Sequence, residues 1–344
     1  MSAHELAAVA QAMAGPGKGI LAADESTGTI EKRFAGIKVE NTEENRRAYR
    51  DMLFTSKGLS QSISGVILYD ETLRQKSANG TPFVELLAKN GILPGIKVDT
   101  GAKDLALCPG EKITEGLDGL AKRCAEYVKM GAKFAKWRAV ITIGKDTPSS
   151  TCIAANAHAL ARYAAICQAA GLVPIVEPEV LMDGNHTIER CEEVTEWTLN
   201  AVYQALYLNR VTLEHSVLKP SMVISGKDCA RQAGIDEVAE RTVRILKRTV
   251  PAAVAGIVFL SGGQSDEVAT AHLNAMNKMF AGNLPWPLSF SYGRALQHAS
   301  LNAWKGSAAN VPAAQAALLH RARMNSLAHS GRYTAEQEKP AQAA

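Results

Sequence analysis

LVPIVEPEV, Leu172–Val180, is a strand-length apolar run carrying two glutamates, Glu177 and Glu179. It is nearly continuous in apolar character rather than alternating, which is how a parallel strand buried on both faces reads. The i, i+2 spacing turns both carboxylates to one face of that strand. Seven other runs of similar length and character lie outward from it: Gly19–Ala23, Gly65–Tyr69, Leu93–Val98, Phe134–Ile143, Ser216–Val223, Gly256–Leu260 and Pro287–Tyr292. Helical patterns separate them, among them Asn41–Ser56, Glu115–Gly131, Pro148–Gly171, His186–Asn209, Ile235–Thr249 and Ser265–Phe280. Strand and helix repeated eight times predict an α/β fold of the (β/α)8 TIM-barrel kind, with extra N- and C-terminal helices. The rival is an open doubly wound sheet, which the lack of a Gly-x-Gly-x-x-Gly turn disfavours.

The 344 residues would make about two domains at ~150 residues each, but one decorated barrel of ~250 residues fits as well. We expect one barrel domain over residues 1–344, with residues 332–344, polar and small, as a flexible tail. Apolar residues at 47% and charged residues at 21% are ordinary globular usage. The 38 Lys and Arg against 34 Asp and Glu leave a net charge of +4, short of the dense basic stripe of a nucleic-acid binder. The six cysteines form no CxxC pair and read as reduced thiols of a cytoplasmic protein. The start, MSAHELAAVAQAMAG, lacks a basic segment before an apolar block, so no signal peptide is expected. The most apolar stretch, near Val250–Leu260, contains Pro251 and is too short to span a membrane.

In such a barrel the active site lies at the C-terminal strand ends. There the runs deliver Asp24; Asp70 and Glu71; Lys97 and Asp99; Lys136 and Arg138; Glu177 and Glu179; Lys219; Ser261-Gly262-Gly263; and Ser291, Gly293 and Arg294. Charges inside apolar strands are costly unless paired, so one alone reads as a structural ion pair. A full ring of polar strand ends is harder to read that way. Lys219, in VLKPSMV, stands between Val217-Leu218 and Pro220. It is either the partner of a glutamate or a nucleophilic amine. An amine attacks a carbonyl only when unprotonated, and desolvation or a nearby cation such as Lys136 favours that form. Glu177 and Glu179 are placed to move protons during addition and loss of water. Ser261-Gly262-Gly263-Gln264-Ser265 opens a helix, and with Arg294 it suits a phosphate. Asp24–Thr29 reads either as a capping turn or as part of a second anion site, to which Arg33 and Lys97 would add cations. No HxH or HExxH pair supports a metal, and the eight histidines fall mostly in helices or turns as solvated or capping residues.

Seven motifs then carry a resemblance. GKGILAADEST (Gly17–Thr27), GIKVDTG (Gly95–Gly101), GAKFAKWR (Gly131–Arg138), GLVPIVEPE (Gly171–Glu179), LKPSMV (Leu218–Val223), FLSGGQS (Phe259–Ser265) and SFSYGRALQ (Ser289–Gln297) resemble class I fructose-bisphosphate aldolase, from about Leu6 to Tyr333. The resemblance implies reversible cleavage of fructose 1,6-bisphosphate to dihydroxyacetone phosphate and glyceraldehyde 3-phosphate, without metal or other cofactor, in glycolysis and gluconeogenesis. It implies Lys219 as the Schiff-base lysine, Glu177 as general acid/base and Glu179 as its hydrogen-bonded partner. Asp24 would orient Lys219 and accept the C4 hydroxyl proton, and Lys136 would polarise the carbonyl. Ser261, Gly262, Gly293 and Arg294 would hold the C1 phosphate. Ser26, Thr29, Arg33 and Lys97 would hold the C6 phosphate; family members often carry Ser where Thr29 stands. Arg138 would complete the substrate site. The resemblance also implies a homotetramer, with sugar phosphates and no nucleic acid or membrane as partners.

One departure is visible. Many relatives end in a tyrosine that mediates proton exchange at the enamine carbon, whereas the last tyrosine here is Tyr333 and the given chain stops at Ala344. Cleavage is therefore expected to persist while enamine protonation slows. Three rivals remain: a non-covalent sugar-phosphate isomerase or epimerase, a secondary role binding acidic filaments, and a metal-dependent aldolase.

Overall fold

The computed structural model describes residues 1–339. Eight strands close into one parallel barrel: β1 (Gly19–Ala23), β2 (Ile63–Leu68), β3 (Leu93–Lys97), β4 (Phe134–Ile141), β5 (Val173–Val180), β6 (Val217–Leu218), β7 (Gly256–Phe259) and β8 (Leu288–Tyr292). Each pairs with its neighbours in chain order, and β8 closes back on β1. All eight expected runs are strands. β6 is the shortest because Pro220 has no N–H to continue the ladder; on the β5 side the last bond is Lys219 N to Val176 O at 2.8 Å, and on the β7 side Leu260 N donates to Pro220 O at 3.1 Å.

The barrel interior is a packed core, not a pore. Ile20, Ile67, Phe134, Val173, Ile175, Val217 and Val258 fill it, and Leu6, Ala10 and Met13 of the first helix, Ala3–Met13, close it from below. That helix is started by a capping box of Ser2 and Glu5. Phe134 occupies space that only glycine leaves open: a Cβ at Gly95 would fall 2.2 Å from its ring. The larger core lies between barrel and helices. Helix boundaries follow local chemistry. Thr42 caps Glu43–Phe54, Ser149 caps Ser150–Ala170, and Ser265 caps Asp266–Met279, each by accepting a backbone N–H.

Two sequence readings are corrected. The helix expected over Glu115–Gly131 begins only at Leu120, because Lys112–Thr114 pairs with Ala102–Asp104 as a hairpin and the left-handed Gly116 and Gly119 follow it. Part of the expected tail is anchored. Tyr333 is buried and donates to Glu338 Oε1 at 2.9 Å, and Glu338 also pairs with Arg321 of the helix Val311–His329. Residues 340–344 of that tail lie outside the described residues. No helix among the described residues is long and apolar enough to cross a membrane.

Candidate active site

The strand ends open into a cavity of about 330 Å³. Asp24, Ser26, Thr29, Arg33, Lys97, Lys136, Arg138, Glu177, Glu179, Lys219, Ser261, Gly262, Gly293 and Arg294 all line it. The residues that the resemblance implied for catalysis and phosphate binding are thus brought to one place, with Asp99 just outside the lining as the partner of Lys97. Asp70 and Glu71 are not. Asp70 is held by Arg74 and Tyr127, and Glu71 by Arg46, as structural pairs outside the cavity.

At the centre is a buried chain of alternating charge. Lys219 is 4% exposed, and its Nζ lies 3.1 Å from Glu177 Oε1. Lys136 Nζ lies 3.3 Å from Glu177 Oε2 and 2.8 Å from Asp24 Oδ2. The contact to Glu177 Oε2 is too poorly aligned for a hydrogen bond, which leaves that oxygen unpartnered. Burial alone would neutralise the acids, but Lys136 and Lys219 overcome it. They hold Asp24 at about 2 and keep Glu177 below the usual glutamate range. Burial likewise opposes the Lys136 ammonium, and Asp24 and Glu177 outweigh it, so Lys136 stays protonated.

Two details differ from what the resemblance implied. Glu179 is salt-bridged to half-exposed Arg138 rather than hydrogen-bonded to Glu177. Asp24 bonds Lys136, not Lys219. Near the rim, Lys97 Nζ sits 2.7 Å from Asp99 Oδ1, and Arg33 pairs with Glu25. Arg294 donates to the carbonyls of Gly263 and Gln264. Ser26 and Thr29 face each other across 3.2 Å between their hydroxyls.

Glu25 is the site residue that sequence reasoning missed. It is buried between Arg33 and Arg50, with Arg50 Nη2 2.7 Å from its Oε2 and Gln297 Nε2 2.9 Å from its Oε1. No local pattern announces those partners, which come from three separate helices. The histidines also divide. His186 and His272 are buried rather than solvated. Among the described residues no group of three or more His, Cys, Asp or Glu could hold a metal ion.

The paired acids make the fold sensitive to acid. Asp24 and Glu177 have depressed pKa values in the folded state, so their charged forms stabilise it above their ordinary range. That contribution is lost as pH falls through the lowered values, for Asp24 from near 3.8 toward about 2. Melting temperatures measured from about pH 5 down to about pH 2 should fall, and fall less steeply in Asp24→Asn. Equal slopes in both proteins would contradict this assignment.

A closed barrel with ion-paired amines and acids at its mouth belongs to an enzyme rather than to a binding scaffold. The family model for class-I fructose-bisphosphate aldolases matches residues 5–344. A probable fructose-bisphosphate aldolase class 1 of Xanthomonas campestris pv. campestris is 62% identical over 334 residues, covering 97% of this chain and 99% of that one. The cytosolic fructose-bisphosphate aldolase 5 of Arabidopsis thaliana is 59% identical over 332 residues, covering 96% and 92%. The solved fructose-bisphosphate aldolase of Plasmodium falciparum, in complex with TRAP and a small-molecule inhibitor, superposes with a TM-score of 0.94. It is 54% identical, with coverage of 96% of this chain and 95% of that one. The chain belongs to the class-I fructose-bisphosphate aldolase family. Its reaction is the reversible cleavage of fructose 1,6-bisphosphate into two triose phosphates, in a family that works without metal.

Proposed function

We propose that Lys219 performs this cleavage as the imine-forming amine, with Glu177, Lys136 and Asp24 moving protons and charge around it. The observation that carries the reading is the Lys219 Nζ to Glu177 Oε1 contact of 3.1 Å in a buried cavity. Glu177 is ionised at neutral pH, so its first act is as a base. It takes a proton from the Lys219 ammonium and frees the amine to add to the C2 carbonyl. It then holds the proton needed by the departing hydroxyl, which leaves as water when the imine forms. Asp24 takes the C4 hydroxyl proton, the C3–C4 bond breaks, and its electrons pass into the protonated imine to give an enamine. Lys136, fixed as a cation between the two acids, offsets negative charge as it develops. Glu179, held by Arg138, borders the same space.

The two phosphates fix the scissile bond in place. Ser261, Gly262, Gly293 and Arg294 suit the C1 phosphate, since Gly262 and Gly263 both adopt left-handed conformations that bare the backbone. Ser26, Thr29, Arg33 and Lys97 suit the C6 phosphate. Arg33, Lys97 and Arg294 are engaged by Glu25, Asp99 and backbone carbonyls. Substrate then exchanges partners on preformed cations rather than desolvating free ones. The barrel and its flanking helices work as one catalytic domain in this reading. A cytosolic setting follows that of the Arabidopsis relative, and the exposed Tyr207 and Leu208 suit burial in a homotetramer.

Borohydride reduction tests the covalent step. Dihydroxyacetone phosphate with EDTA should leave a stable added mass on the peptide bearing Lys219, and none without the sugar phosphate. An adduct elsewhere, or none in protein that binds the ligand, would return the non-covalent isomerase to first place. Tyr333 is outside the cavity lining and tied to Glu338, and in this reading Glu177 or water protonates the enamine. Tritium loss from labelled dihydroxyacetone phosphate should therefore not outpace cleavage; exchange many-fold faster than cleavage would refute that.

A further inference from the structure

The loop assigned to the C1 phosphate is clamped from behind by a residue far from the chemistry. Ser261–Gln264 is a tight turn closed by Gln264 N donating to Ser261 O at 3.0 Å, with Gly262 and Gly263 left-handed at its centre. The Gln264 side chain returns to the same carbonyl, Nε2 donating to Ser261 O at 3.0 Å. A backbone carbonyl can only accept, so this bond settles which end of the Gln264 amide is which. The amide oxygen must then face the other way, and 2.6 Å from it stands His272 Nδ1. Only an Nδ1 that carries its proton can sit there, because Gln264 Oε1 offers nothing to donate.

His272 is 5% exposed, on the first half of the helix Asp266–Met279 that the turn opens. Burial pushes it down to about 4, so it stays neutral and keeps one tautomer at ordinary pH. The same turn also holds Arg294, whose guanidinium donates to the Gly263 and Gln264 carbonyls, the latter at 2.9 Å. Ser261 and Arg294, two members of one phosphate site, are thus referenced to a single turn. That turn's shape depends on Gln264, and Gln264's orientation depends on His272.

We infer that His272 is a positioning residue for the C1-phosphate site, acting through Gln264 on the Ser261–Gln264 turn. It rests on the reading of that turn as the C1-phosphate site. It touches no substrate. Its effect falls on how well the anion donors are aligned before a sugar phosphate arrives, and so on binding rather than on the bond-breaking step.

The experiment titrates dihydroxyacetone phosphate against borohydride-trapped Lys219 and measures kcat and KM for fructose 1,6-bisphosphate. His272→Leu fills a similar volume without a donor. The dihydroxyacetone phosphate needed for half-maximal trapping, and KM, should each rise about tenfold while kcat changes less than about twofold. His272→Asn places an amide N–H near the position of Nδ1, and should stay within about twofold of the parent on both counts. Gln264→Glu, which can still accept from His272 but cannot donate to Ser261 O when ionised, should behave like His272→Leu and serves if the leucine variant does not fold. An unchanged half-saturation in His272→Leu and Gln264→Glu would overturn the inference. So would a loss in His272→Asn as large as in His272→Leu, since that would mark a packing role only. Gly262→Pro, which removes a backbone N–H of the turn, tests the underlying site separately in protein shown to fold: if it leaves half-saturation unchanged, the turn does not hold the phosphate, and both readings fall together.

Discussion

Lys219→Arg should abolish trapping by borohydride and lower kcat by on the order of 10⁴ to 10⁶-fold, the scale seen when a nucleophile acting in a unit is removed. Arginine keeps the positive charge near Glu177 but has no amine that can lose a proton at working pH. The substitution therefore separates electrostatic from covalent use of the position. A non-covalent isomerase on this barrel needs only the charge and would keep a sizeable fraction of its rate. The aldolase needs the nitrogen lone pair and would not. Such a fall corresponds to about 5 to 8 kcal/mol of lost transition-state stabilisation, more than a distorted salt bridge would cost. Folding must be checked alongside, because the larger guanidinium enters a closely packed space. A folded Lys219→Arg protein cleaving at a tenth of the parent rate would remove Lys219 from the chemistry.

Lys136→Met should be nearly as damaging, for a different reason. Lys136 sits between Asp24 and Glu177, at 2.8 and 3.3 Å, and is itself buried. Without it, two neighbouring carboxylates share only Lys219. Asp24 is then no longer held at about 2, and Glu177 rises with it. The fall in melting temperature from about pH 5 to about pH 2 should be shallower than in the parent, because acids no longer depressed in the folded state take up their protons no later than they do in the unfolded chain. Removing one member of a buried charge cluster costs about 3 to 5 kcal/mol unless the orphaned acids take up protons. Catalysis should fall at least about 10³-fold through loss of a preorganised cation beside the reacting carbons. The two readouts are independent, one from melting and one from turnover. A fall with pH as steep as the parent's would show that Lys136 does not control these acids, whatever happens to the rate.

The fold was legible where burial on both faces left a periodic mark. Leu172–Val180 and its seven counterparts are apolar throughout because helices cover one side of the barrel and the packed interior the other. The candidate site residues were legible for the same reason: charge in such a run stands out, and strand ends converge on one mouth. Where the mark is absent the reading failed. Ala102–Asp104 is exposed along its length and carries no apolar alternation, so the hairpin was invisible. The run through Lys219 was read as continuing to Val223, since apolar character says nothing of where Pro220 ends the ladder. Glu25 and His272 were passed over because their meaning lies in contacts with residues distant in the chain or, for His272, eight positions back across a loop boundary, and neither has a spacing of its own.

The first helix, lying under Phe134 and the valines and isoleucines of the barrel interior, gives the site a floor, so the cavity is a blind well and not a tunnel. Traffic then has a single doorway. Bisphosphate comes in, and both trioses go out, by the route that water must take to release the imine. In the proposed imine route, an aldehyde still at the mouth stands in the way of that water, whereas a triose tethered to Lys219 cannot leave ahead of it. Order of departure is thus imposed by the architecture of the vessel as much as by the chemistry inside it.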